Sequence, residues 1–110
     1  MQPSTVAIIA RNLISNHGWI QYKFGNCKDG FCLIGALTNA ARDHKPATIT
    51  ALETCHAIVK AREPASMAGA PAPDEWTALV SYNDRDGRTK DDVLAVLKET
   101  IRICKHKEES

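Results

Sequence analysis

Apolar side chains recur every three or four residues in several stretches of the chain, and this spacing predicts helices. The first predicted helix begins at Ser4 or Thr5, since either side chain can accept a hydrogen bond from the free amides of the first turn. It ends at Gly18, which can take the left-handed conformation that closes a helix. A second predicted helix runs from Leu33 through Arg42, in an alanine- and leucine-rich stretch.

A short β-hairpin or extended segment is predicted near residues 19–34, between these two helices. Residues 19–24 read Trp-Ile-Gln-Tyr-Lys-Phe, and alternate members of this run fall on opposite sides of an extended chain. Residues 25–30 are dense in turn formers. Gly35, just inside the second helix, is expected to permit a close backbone contact there.

A third helix is predicted after Pro46, because proline disfavours helical geometry in the residue before it. Thr50 and Glu53 stand at the spacing of a capping box, and the apolar stripe extends to about Arg62. The stretch 63–73 contains three prolines together with alanine and glycine and shows no helical or strand period. It is predicted to form an internal Pro/Ala-rich loop.

Two more helices are predicted beyond this loop. Asp74 caps a short one that ends in a turn over residues 83–87. Thr89 caps the last helix, and its tail at residues 105–110 is expected to fray. The predicted fold class is therefore mostly α: one compact domain, residues 1–110, of four or five helices. The predicted core contains Ile9, Leu13, Leu33, Leu37, Leu52, Val59, Leu79, Val93, Leu97 and Ile101.

Length and charge narrow the class of protein. A chain of 110 residues has room for one modest core. The net charge of only +1 gives no excess of basic side chains to neutralise the phosphates of a nucleic acid, so no nucleic-acid partner is expected. No stretch approaches the roughly 18 apolar residues that cross a bilayer, and the first residues lack a basic leader and a cleavage site. A cytoplasmic protein without a membrane partner is expected.

The four cysteines do not have the spacing of a structural metal site. Zinc ligands usually come in pairs two to four residues apart, and only Cys27 and Cys32, with four residues between them, approach this. Cys55 and Cys104 fall on apolar helical stripes, where small buried residues are expected. Neither a metal nor a cofactor is predicted.

Cys32 is the one thiol with a predicted chemical role. It stands where the second helix begins, and free amides and the helix dipole stabilise a thiolate at that position. A nucleophile needs a base, and His17, His44 and His56 are the candidates. The chain shows no complete Cys-His signature, so buried packing remains the competing interpretation.

The most polar stretch of the chain is residues 83–89, Asn-Asp-Arg-Asp-Gly-Arg-Thr. It lacks the terminal glutamate of a calcium loop, so calcium is not expected. Asn83 and Asp84 can simply satisfy nearby backbone in a turn. Alternatively, Arg85 or Arg88 can bind a phosphate or carboxylate together with helix-start amides.

Several separated elements resemble a domain family of unknown function found in small proteins of actinobacteria and their phages. In that family the elements are Gly-Trp, Cys-Leu-x-Gly-Ala-Leu and Trp-Asn-Asp before a final helix. Tyr82 stands here where the family has tryptophan. The resemblance implies no activity, cofactor or partner, but its phage context favours a stoichiometric binder. The elements are Gly18 with Trp19, residues 30–37, residues 82–84, residues 87–89 and residues 92–94.

The residues point to two functions from different classes, and the resemblance implies the phage-related role of the first. The first is a small cytosolic, non-catalytic binding protein, acting on a host protein or a small polar ligand as a phage-related inhibitor, sequestering or counter-defence factor. The alternative is a thiol-dependent enzyme that uses Cys32. Trp19, Cys32 and the Asn83-Asp84 pair are expected to meet, either as a structural polar plug or as a binding site. The candidate ligand-binding residues are Trp19, Cys32, Asn83, Asp84, Arg85 and Arg88.

Overall fold

The computed structural model describes residues 1–41, 44–63 and 74–110. Five helices and one antiparallel two-stranded hairpin occupy this part of the chain, which confirms the mostly α fold class. In chain order the elements are α1 (Pro3–His17), β1 (Gly25–Asn26), β2 (Gly30–Phe31), α2 (Leu33–Ala40), α3 (Lys45–Arg62), α4 (Glu75–Asp84) and α5 (Lys90–Glu109).

The core lies where α1 packs against both α2 and α5, with α3 against α5 and α4. The predicted core residues are buried except for Ile9, Leu13 and Leu52, which are half-buried and pack against its edge. Cys55 and Cys104 are buried, as predicted. Within the described residues, no helix is both long and apolar enough to cross a membrane.

Three helix ends are where the sequence predicts them. Gly18 closes α1 with a positive φ of 102°. The Asp74 carboxylate accepts a hydrogen bond from the Thr77 amide at the start of α4. Thr89 and Asp92 form a reciprocal capping box on α5. Each of these ends is specified by residues within one turn of the helix.

The predicted cap of α1 is wrong. The helix begins at Pro3, one residue before Ser4, and Gln2 at the N-cap position makes no side-chain capping bond. The Ser4 amide and hydroxyl instead donate to the carboxylate of Glu108, near the end of α5. The helix α5 extends to Glu109 in the structure, and fraying of residues 105–110 stays a prediction.

The predicted capping box of α3 is also wrong, because this helix too begins before the predicted cap. Pro46 lies in the first turn of the helix, where its missing amide costs nothing. Thr50 is consequently inside the helix, and its hydroxyl donates to the Pro46 carbonyl. The helix ends at Arg62, as predicted. The rest of the predicted loop, residues 64–73, and the predicted end of α2 at residue 42 lie outside the described residues.

The hairpin predicted near residues 19–34 is present, but the alternating residues 19–24 do not form a strand in it. Trp19 makes only an isolated bridge to Phe31, and the hairpin is formed by residues 25–26 and 30–31. The carbonyl of Phe24 lies so close to Gly35 that a Cβ atom there would be 1.8 Å from its oxygen. The predicted close backbone contact at Gly35 is therefore confirmed.

Candidate functional site

Asn83 is the centre of the polar cluster that the sequence analysis singled out. It lies in the last turn of α4, rather than in a turn after it, and it is fully buried. Its side-chain oxygen accepts from the Trp19 indole nitrogen at 2.6 Å and from the Leu33 amide at 3.0 Å. Its side-chain nitrogen donates to the Ile20 carbonyl and to Asp84 Oδ1, both at 3.0 Å. These four bonds fill the capacity of an asparagine amide.

Two residues of the segment after α1 add contacts to the same helix end. Gln21 Nε2 donates to the carbonyls of Asn83 and Arg85, both at 3.1 Å. The Tyr22 amide donates to Asp84 Oδ1 at 2.9 Å. Hydrogen bonds that involve side chains therefore hold the segment against the end of α4.

Cys32 lies at the N-cap of α2, as predicted, and its sulfur accepts a hydrogen bond from the Gly35 amide at 3.2 Å. Only 4% of the residue is exposed. Burial raises the pKa of the Cys32 thiol, against the lowering effect of the Gly35 and Ile34 amides, and the charge of Asp84 raises it further. A thiol in this environment is a weak nucleophile at neutral pH.

Arg85 and Arg88 lie at a separate ionic cluster. Arg88 donates to both carboxylate oxygens of Glu63, each at 2.6 Å, and Arg85 donates to one of them at 2.8 Å. The Arg88 guanidinium also stacks on the Tyr82 ring at 3.6 Å and bonds the Tyr82 carbonyl. The two arginines lower the pKa of Glu63 to about 2.

The structure thus brings together Trp19, Cys32, Asn83 and Asp84, as expected for one cluster. The side chains of Arg85 and Arg88 pair with Glu63 instead. Arg85 is linked to the cluster through its backbone carbonyl, which accepts a hydrogen bond from Gln21. Every buried side-chain nitrogen and oxygen in the described residues has a hydrogen-bond partner. The buried polar atoms of the cluster are therefore bonded within the fold, as a structural plug requires.

A cavity of about 180 Å³ lies beside this plug. We call it the Asp84 cavity, because the Asp84 carboxylate is its one acidic group. Cys32 and Asp84 belong to the predicted site residues, whereas the other lining residues do not. The cavity is lined by Tyr22, Lys23, Phe24, Cys32, Val80 and Asp84.

Three large aromatic side chains are exposed around this cavity and next to it. Tyr22 is 69% exposed, Phe24 55% and Trp76 42%. The Phe24 and Trp76 rings meet edge to face with centroids 5.6 Å apart. Trp76 also lines a second cavity of about 280 Å³, which includes the exposed side chain of Ile49. We call Tyr22, Phe24 and Trp76 the aromatic face.

The aromatic face was missed because its residues fit other patterns in the sequence. Tyr22 and Phe24 alternate as on one side of a strand, and Trp76 falls on the apolar stripe of α4. The available signal was the low aromatic content, 5% of the chain. Two of these few rings, Tyr22 and Phe24, lie next to the turn-forming residues 25–30. A turn does not need large aromatic side chains at its edge.

The described residues contain no group of three or more histidine, cysteine, aspartate or glutamate side chains that could hold a metal ion. All four cysteines are free thiols, with Cys27 exposed and the other three buried. The chemistry of the region therefore consists of one carboxylate, one exposed ammonium and apolar or aromatic walls.

Comparison with known proteins gives a family without an assigned activity. No curated protein and no solved structure matches the chain. One family model, described as a family of unknown function (DUF6197), matches residues 1–103. Because the match spans nearly the whole chain, the protein belongs to this family of unknown function.

Proposed function

We propose that the protein is a non-catalytic cytoplasmic binding protein that sequesters or inhibits another protein through its aromatic face. The observation that carries this proposal is the exposure of Tyr22, Phe24 and Trp76, since Phe24 is in ring contact with Trp76 and lines one cavity with Tyr22. Large aromatic side chains supply most of the energetic hot spots of protein interfaces. Contiguous exposed apolar surface on a small domain is typical of an interaction site.

The backbone of Tyr22 supports this interpretation. Tyr22 has a φ of 69°, and it is the one residue other than glycine with a positive φ in the described ranges. The left-handed conformation costs an L-residue with a side chain roughly 1–2 kcal/mol. A mostly exposed ring recovers little of this cost by burial, and strained positions of this kind cluster at binding sites.

A protein target is favoured over a small polar ligand. Asn83 already uses all four of its side-chain hydrogen bonds within the fold. The two arginines that would bind an anion are paired with Glu63, and the Arg88 side chain is only 7% exposed. The exposed aromatic face, in contrast, has apolar surface to bury against a partner.

The class of target comes from the family resemblance. The motifs of the chain resemble those of a family found in small proteins of actinobacteria and their phages, and this resemblance implies the context of small phage inhibitors of host components. We therefore assign the protein a role as an inhibitor or sequestering factor of a host protein, as in counter-defence.

A selection from a displayed library of random peptides tests the proposal without knowledge of the natural target. Peptides enriched on the wild-type protein should bind at least tenfold more weakly to Phe24→Ala and to Trp76→Ala, because each removes a hot-spot ring. Lys98→Ala, at an exposed position of α5, serves as the control and should bind as wild type.

The thermal melting temperature separates loss of binding from loss of folding. Both aromatic side chains are exposed, so the Ala variants should melt close to wild type. Failure to enrich any peptide, or equal binding by wild type and both Ala variants, would contradict the proposal.

A further inference from the structure

We propose that the Asp84 cavity holds the cationic side chain of an arginine or lysine of the protein partner. This inference rests on the proposed function, because Tyr22 and Phe24 belong both to the aromatic face and to the cavity. The cavity would then specify what kind of residue the partner must present next to its apolar contact. The occupant follows from the charge and the walls of the cavity.

The Asp84 carboxylate is held in place but retains acceptor capacity. Its Oδ1 accepts from the Tyr22 amide and from Asn83 Nδ2. Among the described residues no group donates to its second oxygen, and no cation lies within ion-pair distance. A carboxylate fixed in this way can accept a charge-assisted bond from an ammonium or guanidinium group without further ordering.

The walls of the cavity suit a long cationic side chain. Tyr22 and Phe24 present aromatic rings, and a cation gains energy over such rings. Val80 and the buried thiol of Cys32 offer apolar surface for the methylene stem of the residue. A dry cavity of about 150 Å³ is large enough for benzene, so a volume of about 180 Å³ admits one side chain.

Lys23 is the feature that opposes a cation. Its side chain lines the cavity and is exposed, and no described carboxylate pairs with it. Its ammonium group should weaken the binding of a second cation by repulsion. This makes Lys23 a useful probe, because an anionic occupant would depend on the two residues in the opposite way.

Titrations followed by NMR of the ¹⁵N-labelled protein test the inference with defined probes. The probes are the Nα-acetyl methylamides of arginine, norleucine and glutamate, which differ in charge but share a blocked backbone. The Tyr22 amide, which bonds Asp84, and the Trp76 indole report on the two sides of the site. We expect the arginine probe to shift the Tyr22 resonance, with a much weaker effect of norleucine and none of glutamate.

Two matched variants assign the effect to Asp84. Asp84→Asn keeps an oxygen for the Tyr22 amide but removes the charge, and it should weaken arginine binding about tenfold. Lys23→Ala removes the repulsion and should strengthen arginine binding a few-fold. Both variants should retain the wild-type melting temperature to within a few degrees.

Three results would overturn the inference: no shift with the arginine probe at roughly tens of millimolar, binding of norleucine or glutamate equal to that of arginine, or unchanged arginine binding by Asp84→Asn. The selected peptides distinguish this failure from failure of the proposed function. If they require Phe24 and Trp76 but bind Asp84→Asn as wild type, the cation site is wrong and the aromatic face stands. If arginine binding depends on Asp84 but no peptide is selected, the proposed function fails alone.

Discussion

Asn83 and Trp19 are 64 positions apart in the chain, and a hydrogen bond of 2.6 Å joins the side-chain oxygen of one to the indole nitrogen of the other. The same oxygen accepts the amide of Leu33, the first residue of α2. One buried amide thus connects the end of α4, the segment after α1 and the start of α2. This connection holds the segment that carries Tyr22 and Phe24.

Replacing Asn83 by alanine should lower the free energy of unfolding by roughly 3 kcal/mol. The substitution removes the hydrogen-bond partner of the buried Leu33 amide and of the partly buried Trp19 indole and Ile20 carbonyl. An unsatisfied buried group costs about 1–3 kcal/mol, and a partly buried one costs less. Urea denaturation followed by tryptophan fluorescence measures the loss. Asn12→Ala, at an exposed position of α1, is the control, and an equally small effect of both substitutions would argue against a structural plug.

The Glu63 cluster should make stability depend on pH in the acid range. The pKa of Glu63 falls from 4.5 to about 2 in the folded protein, chiefly through its hydrogen bonds with Arg88. A carboxyl with a lowered pKa in the folded state stabilises the protein fully above its unfolded pKa. That stabilisation is lost as the pH falls from about 5 toward 2.

A comparison of wild type with Glu63→Gln isolates this contribution. The carboxylate is 23% exposed, so we expect the difference in unfolding free energy to be on the order of 1–2 kcal/mol at neutral pH. The difference should shrink toward zero near pH 2. Denaturant unfolding across this range measures it, and a difference that stays constant with pH would rule out the ion pair as its source.

Glu108 should stabilise the protein more than its neighbour Glu109. Its carboxylate accepts from the Ser4 amide at 3.1 Å and from the Ser4 hydroxyl, and so caps the first turn of α1. Loss of a helix cap costs about 0.5–2 kcal/mol. Glu108→Ala should therefore lower the melting temperature measurably, while Glu109→Ala, at an exposed position, leaves it unchanged. Equal effects of the two substitutions would show that the cap contributes nothing.

Alkylation should divide the cysteines by exposure. Cys27 is exposed in the hairpin, whereas Cys32 is buried and burial raises the pKa of its thiol. We expect iodoacetamide to modify Cys27 at the rate of a free thiol and Cys32 far more slowly between about pH 6 and pH 9. Mass spectrometry of the digested protein measures both rates. Faster alkylation of Cys32 than of Cys27 would favour the alternative of a thiol-dependent enzyme.

Local patterns were sufficient for much of the fold. The caps of α4 at Asp74 and of α5 at Thr89 are specified within one turn, and the sequence predicts both. The first turn of α1 is different, because its partner Glu108 lies 104 positions away. No local pattern can indicate a cap that comes from another helix.

The candidate site was predictable only in part. Trp19, Cys32 and Asn83 each end or begin a helix, so their convergence could be expected from the order of the elements. The pairing of Arg88 with Glu63 spans 25 positions and has no spacing rule. The exposure of Tyr22 accompanies a positive φ of 69°, a backbone conformation that periodicity does not predict.

Replacement of Tyr22 by glycine tests the central claim most directly, namely that the aromatic face exists for binding and not for stability. Glycine removes the left-handed strain, which stabilises the folded state by roughly 1–2 kcal/mol. Its greater freedom in the unfolded chain destabilises the protein by about 0.5–1 kcal/mol. The account predicts a variant at least as stable as wild type that binds the selected peptides at least tenfold more weakly. A destabilised variant that still binds them as wild type would contradict it.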